Sequence, residues 1–314
     1  MRLKKFFERR DLWTVGIYRL QSLRDLVHLG TYRPVHLIGE LGVRKDMSYQ
    51  SVVADPFLYV HDFKLYLFYE VKTDHGHGEI WARRLSESGQ WETLGQVLAE
   101  PYHLSYPQVF ASGGQVYMIP EAAQSGQVKL YIATDFPWEW KECAVLVDSP
   151  LLDPTLVPME NGKGYMLLAT TRNSELKSFY AHDVRGPFVD MNINITNSKF
   201  NARCAGSPLR IDGQLYRLAQ DCSRIYGERI IAHRVLEISP YRYVEGPAIA
   251  NFVGNTPEWM AVGHHHLSSV AFNGDLYVAV DGRRKDRYIN TLMLGLVNIF
   301  GRLLSTGGKR CSRP

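Results

Sequence analysis

Four cysteines are all that this 314-residue chain contains: Cys143, Cys204, Cys222 and Cys311, with no two in C-x-x-C spacing. That removes the usual ligand spacing of a structural zinc site and of a thioredoxin-like pair, and the thiols are expected to stay reduced in a cytoplasmic protein. Long apolar runs are missing too. None reaches the length of a membrane span, about 18 residues or more. The segment LMLGLVNIFGRLL, near the C-terminus, is expected to be a buried strand or packing helix, with peripheral membrane contact as the alternative. The basic N-terminus MRLKKFFERR has no continuous apolar stretch before a small-residue cleavage site, so no secretory signal is expected. Charge is nearly balanced. Lys and Arg number 36 against 32 Asp and Glu, a net +4 that sits largely at the two ends. With no basic stripe carrying interleaved aromatics, nucleic acid is not an expected partner. There is no G-x-G-x-x-G ahead of a helix, no Walker A sequence and no G-x-S-x-G elbow, which argues against dinucleotide-binding, P-loop and α/β-hydrolase folds. No cofactor is implied.

What is present is a repeat. A small polar turn, a hydrophobic residue, a Tyr and an apolar run recur as HDFKLYLFYE, SGGQVYMIPE, NGKGYMLLAT, DGQLYRLAQD and NGDLYVAVDG. The central tyrosines, Tyr66, Tyr117, Tyr165, Tyr216 and Tyr277, are spaced by 51, 48, 51 and 61 residues. A period of roughly 40–50 residues built from strands marks a propeller or array. With 45% hydrophobic and 12% aromatic residues, the chain can bury a large core. Asp-Gly and Asn-Gly between hydrophobic runs are strong hairpin signals, because both central positions tolerate φ > 0. Each repeat adds a further strand pair after its hairpin, giving four strands per unit. The fold expected is an all-β, five-bladed β-propeller over residues 46–300. Residues 1–45 are expected to be a lead-in that packs on it, with 30–45 able to complete the fifth blade, and 301–314 a basic tail.

The first strand of each blade lines the channel, so the segments just before each hairpin locate the site. They carry Asp55 in ADPF, Tyr106 in SYPQ, Asp153 in LDPT, Ser207 in AGSP, and His265, His266 and Ser268 in HHHLSS. Asp55 and Asp153 stand at equal phase, each before a Pro. Such a pair suits glycosidic acid–base chemistry, whereas a single Asp-Pro is more simply a turn starter. A second ring, at the ends of the second strands, holds Glu70, Glu121, Asp221 and Asp281, with Glu121 and Asp221 the more interesting, and Glu228 in YGER is a further acid candidate. Arg172, Arg203 and Arg217 are candidate partners for a carboxylate, an acidic sugar or a phosphate. The His264–His266 run has the look of a metal tract. Strand alternation sends neighbouring side chains to opposite faces, so a histidine hydrogen-bonding a sugar or phosphate is favoured and no metal is assigned.

These motifs, ADPFLYVHDFKLYLFYE, SYPQVF with YMIPE, LLDPTLV, AGSPLRIDGQLYRLAQDCSRIYGERI and GHHHLSSVAFNGDLYVAVDGRR, together resemble the N-terminal domain of glucosamine inositolphosphorylceramide transferases and its bacterial stand-alone relatives, over about residues 45–285. More remotely they resemble five-bladed propeller glycosidases of the arabinanase, xylosidase and levansucrase type. That resemblance implies Asp55 as base or nucleophile and Asp153 as the orienting carboxylate. It implies an acid from blade four, where this chain offers only Asp221 and Glu228, so Glu121 stays a third candidate. The transferase part of the plant proteins has no counterpart here, so the resemblance implies a carbohydrate context rather than a reaction. Two functions are expected from it. One is a carbohydrate-active enzyme working on a glycan, a lipid-linked sugar or an activated sugar in surface polysaccharide or glycolipid synthesis. The other is a non-catalytic module that binds sugar through Tyr106, Tyr226 and Trp259 and positions a glycan for a partner glycosyltransferase. A sugar or sugar phosphate, with Asp281 and the histidines among its contacts, is the expected ligand.

Overall fold

A computed structural model describes residues 7–39, 50–73, 76–159 and 162–289. The strands β1 (Phe7–Leu20) and β2 (His36–Ile38) come first in the chain. β3 (Gln50–His61), β4 (Lys64–Thr73), β5 (Glu79–Leu85) and β6 (Trp91–Leu98) form blade one. Blade two is β7 (Ser105–Ser112), β8 (Gln115–Glu121), β9 (Val128–Asp135) and β10 (Glu139–Val147). Blade three is β11 (Leu152–Pro158), β12 (Tyr165–Thr170), β13 (Leu176–Ala181) and β14 (Val189–Asp190). Blade four is β15 (Leu209–Ile211), β16 (Gln214–Asp221), β17 (Arg229–Ser239) and β18 (Arg242–Ile249). β19 (Leu267–Phe272) and β20 (Asp275–Ile289) begin blade five, whose order is β19-β20-β1-β2. The five-bladed propeller is therefore the fold. No helix among the described residues is long and apolar enough to cross a membrane.

In blade five β2 lies within the 30–45 stretch expected to complete that blade, and β1, expected as part of a lead-in, joins it as a further strand, so the two form the outer half of the last blade. Val15, Gly16 and Ile17 of β1 pair with Ile38, Leu37 and His36 of β2. The reason is physical: β19 and β20 alone would be a two-stranded blade, and strands from the other end of the chain give it the four strands of its neighbours. A compact body spans Trp13–Arg284, and the chain ends, 1–12 with 285–314, form a separate small unit. Of that unit, only the strand ends at 7–12 and 285–289 are described. The basic tail at 301–314 and the segment LMLGLVNIFGRLL lie outside the described residues.

Neighbouring blades bury each other's faces, so the middle strands lose the simple in–out alternation. β4 is buried without interruption from Leu65 to Val71, as expected of a sheet covered on both sides. The hairpins between first and second strands use left-handed pairs: Asp212–Gly213 (φ 52 and 79), Asn273–Gly274 (φ 49 and 83) and Gly113–Gly114 (φ 55 and 76). Blade one departs from this rule. Its pair is Asp62–Phe63 (φ 45 and 57), and the Phe63 ring is 96% exposed. A bulky residue in this region is strained and gains nothing from burial. Phe63→Gly is therefore expected to stabilise the protein by about 0.5–1 kcal/mol, read as a higher urea midpoint at unchanged slope. A lower midpoint would show that the ring has a partner in the fold.

Candidate functional site

Three first strands carry the same irregularity at the channel mouth. Asp55 (φ 53), Tyr106 (φ 49) and Asp153 (φ 48) each precede a proline and each adopt left-handed backbone. The register slips at each place, between Ala54 and Phe57, Ser105 and Gln108, and Leu152 and Thr155. A non-glycine residue in this conformation costs on the order of 1–3 kcal/mol and persists only where its surroundings hold it. Carboxylates hold all three. The Asp55 N–H donates to Asp281 Oδ2 (3.2 Å), the Tyr106 N–H to Asp55 Oδ2 (3.2 Å) and the Asp153 N–H to Glu121 Oε2 (3.3 Å). In blade four Ser207 precedes the proline and the positive φ falls one residue earlier, at Gly206 (φ 121), whose N–H donates to the Tyr106 hydroxyl (2.7 Å).

Above these bulges lies a pocket of about 290 Å³ lined by Asp55, Glu70, Glu121, Arg203 and His265, with Trp13, Tyr226, Lys72 and His103 among its walls. Arg203 grips Asp153 with two hydrogen bonds (2.6 and 2.9 Å), lies 3.6 Å from Glu121, and has its guanidinium 5.2 Å from the centre of the Tyr226 ring. The Gln220 side-chain amide also donates to Asp153 (3.0 Å). On the opposite wall His265 Nδ1 sits 2.6 Å from Asp281 Oδ2 and 3.9 Å from Asp55 Oδ1. Its ring stacks on Trp13 with centroids 4.1 Å apart.

This crowding changes proton affinities. Burial pushes Asp55 up to about 7; the negative charges of Asp281 and Asp153 add to the rise and His265 opposes it. Burial, reinforced by Asp153 and opposed by Arg203, pushes Glu121 up to about 8. Glu70 is raised well above the ordinary range by burial and by Asp55 and Glu121. Burial draws His265 downward, but Asp281 outweighs it and the imidazole ends above its ordinary value. Burial, with Lys72 nearby, draws His103 down to about 4. Its Nδ1 accepts the Gly78 N–H (2.9 Å), which leaves the proton on Nε2, 3.5 Å from Glu70. The pocket therefore gathers two carboxyl groups, Asp55 and Glu121, that both hold their protons more tightly than a free side chain does.

The structure brings together Asp55, Glu121, Arg203 and His265, with Asp153 directly behind the wall. It withdraws the rest. Asp221 turns back on its own loop, accepting from Ser223 and from Arg229 Nε (3.0 Å). Glu228 pairs with Arg224 and lines a different pocket. The acid expected from blade four is therefore not in the site. Arg217 is sealed inside blade four on Glu245, and Arg172 stands exposed on the turn after β12. Tyr106 is 0% exposed, its hydroxyl taken by Gly206 and Thr155, so it cannot stack on a sugar. Trp259 is likewise buried. His266 packs edge-on against Phe57 and Tyr106, and burial holds it down at about 3. Asp281 is 0% exposed and reaches no ligand. Asp55, His265 and Asp281 place ligand atoms within 4.8 Å of one another, a spacing a cation can use, but here Asp281 is occupied by His265 and by the N–H groups of Asp55, His265 and His266. Trp13, Lys72 and His103 escaped the sequence reading. Trp13 comes from the closing strand, and the other two lie after the repeat motifs rather than in them.

The family described as the N-terminal region of glucosamine inositolphosphorylceramide transferase 1 matches residues 40–283. The enzyme of that name from Oryza sativa subsp. japonica is 35% identical over 303 residues, covering 87% of this chain and 40% of the relative. The Arabidopsis thaliana enzyme is 37% identical over 248 residues, covering 74% and 32%. The chain thus spans about 40% or less of these relatives. Among solved structures, the fold is similar to a GH43 β-xylosidase/α-arabinofuranosidase from a compost microbial metagenome, in complex with xylotriose (TM-score 0.51, 13% identity, 74% of this chain and 90% of that one). It is equally similar to a GH43_1 enzyme from Xanthomonas citri, also with xylotriose (TM-score 0.51, 15% identity, 77% and 89%). At such identities the likeness is one of fold.

Two outcomes follow from the geometry. Arg203→Met strands Asp153 in a buried place and is expected to cost about 2–4 kcal/mol in urea unfolding, most of it recovered when Asp153→Asn is added. Full additivity of the two changes would refute the pairing. Because Asp55 and Glu121 bind protons more tightly folded than unfolded, their contribution to stability is complete below about pH 4 and is lost as pH rises toward 8. Glu121→Gln should therefore raise the melting temperature more at pH 8 than at pH 5.

Proposed function

The chain belongs to the family of the N-terminal domain of glucosamine inositolphosphorylceramide transferase 1, and from that premise we propose that its channel-mouth pocket carries out acid–base chemistry on a carbohydrate. One observation carries the reading. Glu121 and Asp55, from adjacent blades, face one pocket with raised proton affinities, while Asp153 beside them is locked by Arg203. Paired carboxyl groups facing one pocket are what glycosyl chemistry needs. Glu121, whose proton affinity burial beside Asp153 raises, is the general acid. Asp55, which faces the His265 imidazole, is the base or nucleophile. Asp153 is an orienting charge that does not itself transfer protons, because Arg203 and Gln220 occupy its oxygens.

The substrate is a glycan, a lipid-linked sugar or an activated sugar used in cell-surface polysaccharide or glycolipid synthesis, and the site of action is cytoplasmic. The names of the plant relatives support the glycolipid link, and the xylotriose complexes of the fold neighbours support a sugar as ligand. Trp13 and Tyr226 provide the aromatic walls for sugar faces. A glycosyltransferase of the same pathway is the proposed partner.

Asp55→Asn and Glu121→Gln are each expected to lower turnover by about 10²–10⁴-fold with ligand binding largely kept. Turnover should peak between about pH 7 and 8, where Asp55 has lost its proton and Glu121 still holds one. A screen of sugar donors and glycans that finds binding blocked by pocket substitutions, yet no turnover, would overturn the catalytic reading and leave a sugar-binding module.

A further inference from the structure

Asp281 has an unusual set of partners for a residue that no ligand can reach. It is 0% exposed, on β20. Its Oδ1 accepts the N–H groups of His265 (2.8 Å) and His266 (3.0 Å). Its Oδ2 accepts the N–H of Asp55 (3.2 Å) and lies 2.6 Å from His265 Nδ1. One carboxylate thus fixes two things at once. It holds the left-handed peptide that presents Asp55, and it orients the imidazole that stands 3.9 Å from the Asp55 side chain. The imidazole is held from its other side as well, by Trp13 stacked at 4.1 Å and Tyr226 edge-on at 5.2 Å. A side chain fixed by a carboxylate, a stacked ring and an edge contact has almost no freedom to turn.

We propose that Asp281 is a positioning residue that acts on Asp55 through His265 and through the Asp55 peptide N–H. Its carboxylate favours the charged form of the neighbouring imidazole, and a charged imidazole in turn favours the ionised form of Asp55. The other charged groups facing Asp55 are Asp153 on β11, Arg203 ahead of β15, Glu70 on β4 and Glu121 on β8. They come from blades one to four and stay unchanged when Asp281 is altered. For Asp55 the effect of His265 exceeds the direct effect of the Asp281 charge, so removing the carboxylate and discharging the imidazole should leave Asp55 harder to ionise. The consequence for turnover rests on Asp55 being the base; the coupling between the three groups does not.

The test is an NMR titration of the full chain, with ¹⁵N-labelled histidine and ¹³Cγ-labelled aspartate, in the native sequence and in Asp281→Asn. The amide oxygen of the substituted side chain can still accept the His265 and His266 N–H groups, while the amide nitrogen takes the place of Oδ2 and leaves the Asp55 N–H without its acceptor. His265 should then lose its proton at least about one pH unit earlier, a tenfold change, because burial is no longer opposed. The Asp55 midpoint should move upward. If Asp281→Asn does not fold, His265→Gln keeps the backbone acceptors in place and should by itself raise the Asp55 midpoint by about one unit or more. A folded variant in which both midpoints stay put would overturn the proposal and leave Asp281 a structural residue. None of these readouts needs a substrate. An upward shift of Asp55 without any sugar turnover would support the coupling while the catalytic reading failed. Where turnover is found, the acid limb of its pH profile should move up with Asp55.

Discussion

A carboxylate receiving the backbone N–H of a left-handed residue on a neighbouring first strand is the contact on which the channel mouth depends. It occurs from Asp281 to Asp55, from Asp55 to Tyr106 and from Glu121 to Asp153. Each peptide so held would otherwise relax to ordinary extended backbone, as the following proline prefers. The strain and the charge are therefore one arrangement. The acids cannot be removed without releasing the bulges, and the bulges bring the acids close enough to disturb one another's ionisation. Arg203 and His265, which line the cavity, make the crowding tolerable by pairing with Asp153 and Asp281 behind its walls, and Asp55, Glu70 and Glu121 share the lining with them.

The architecture was readable because it repeats. Tyr66, Tyr117, Tyr165, Tyr216 and Tyr277 mark the same place in each blade, and Gly-Gly, Asp-Gly and Asn-Gly pairs mark the turn in four of the five repeats. The phase of those repeats also pointed to Asp55, Asp153 and Glu121. It misled where equal position does not mean equal environment. Asp221 occupies the same strand end as Glu121, but Ser223 and Arg229 follow it and draw it into its own loop. Tyr106 shares the phase of Asp55, yet a long side chain there runs beneath the bulge instead of into the pocket. Arg217 gave no sign in the sequence that Glu245, 28 residues on, would bury it.

One of the site's features had no local signal at all. Trp13 reaches the pocket because the ring closes with strands from the two ends of the chain, a property of topology rather than of any motif. Glu70 stood in the second ring of acids by phase alone, and its neighbour His103 lies outside the repeat motif.

The stacking of Trp13 on His265 joins the first described strand to the last blade across more than 250 residues. Contacts of such long separation form late, after the loop entropy between them has been overcome. The carboxyl groups of Asp55, Glu70 and Glu121 come from blades one and two, so an open ring would hold these acids without the Trp13 wall. Completion of the ring is thus the step that adds the aromatic wall, and the site is finished only when the two ends of the chain have met.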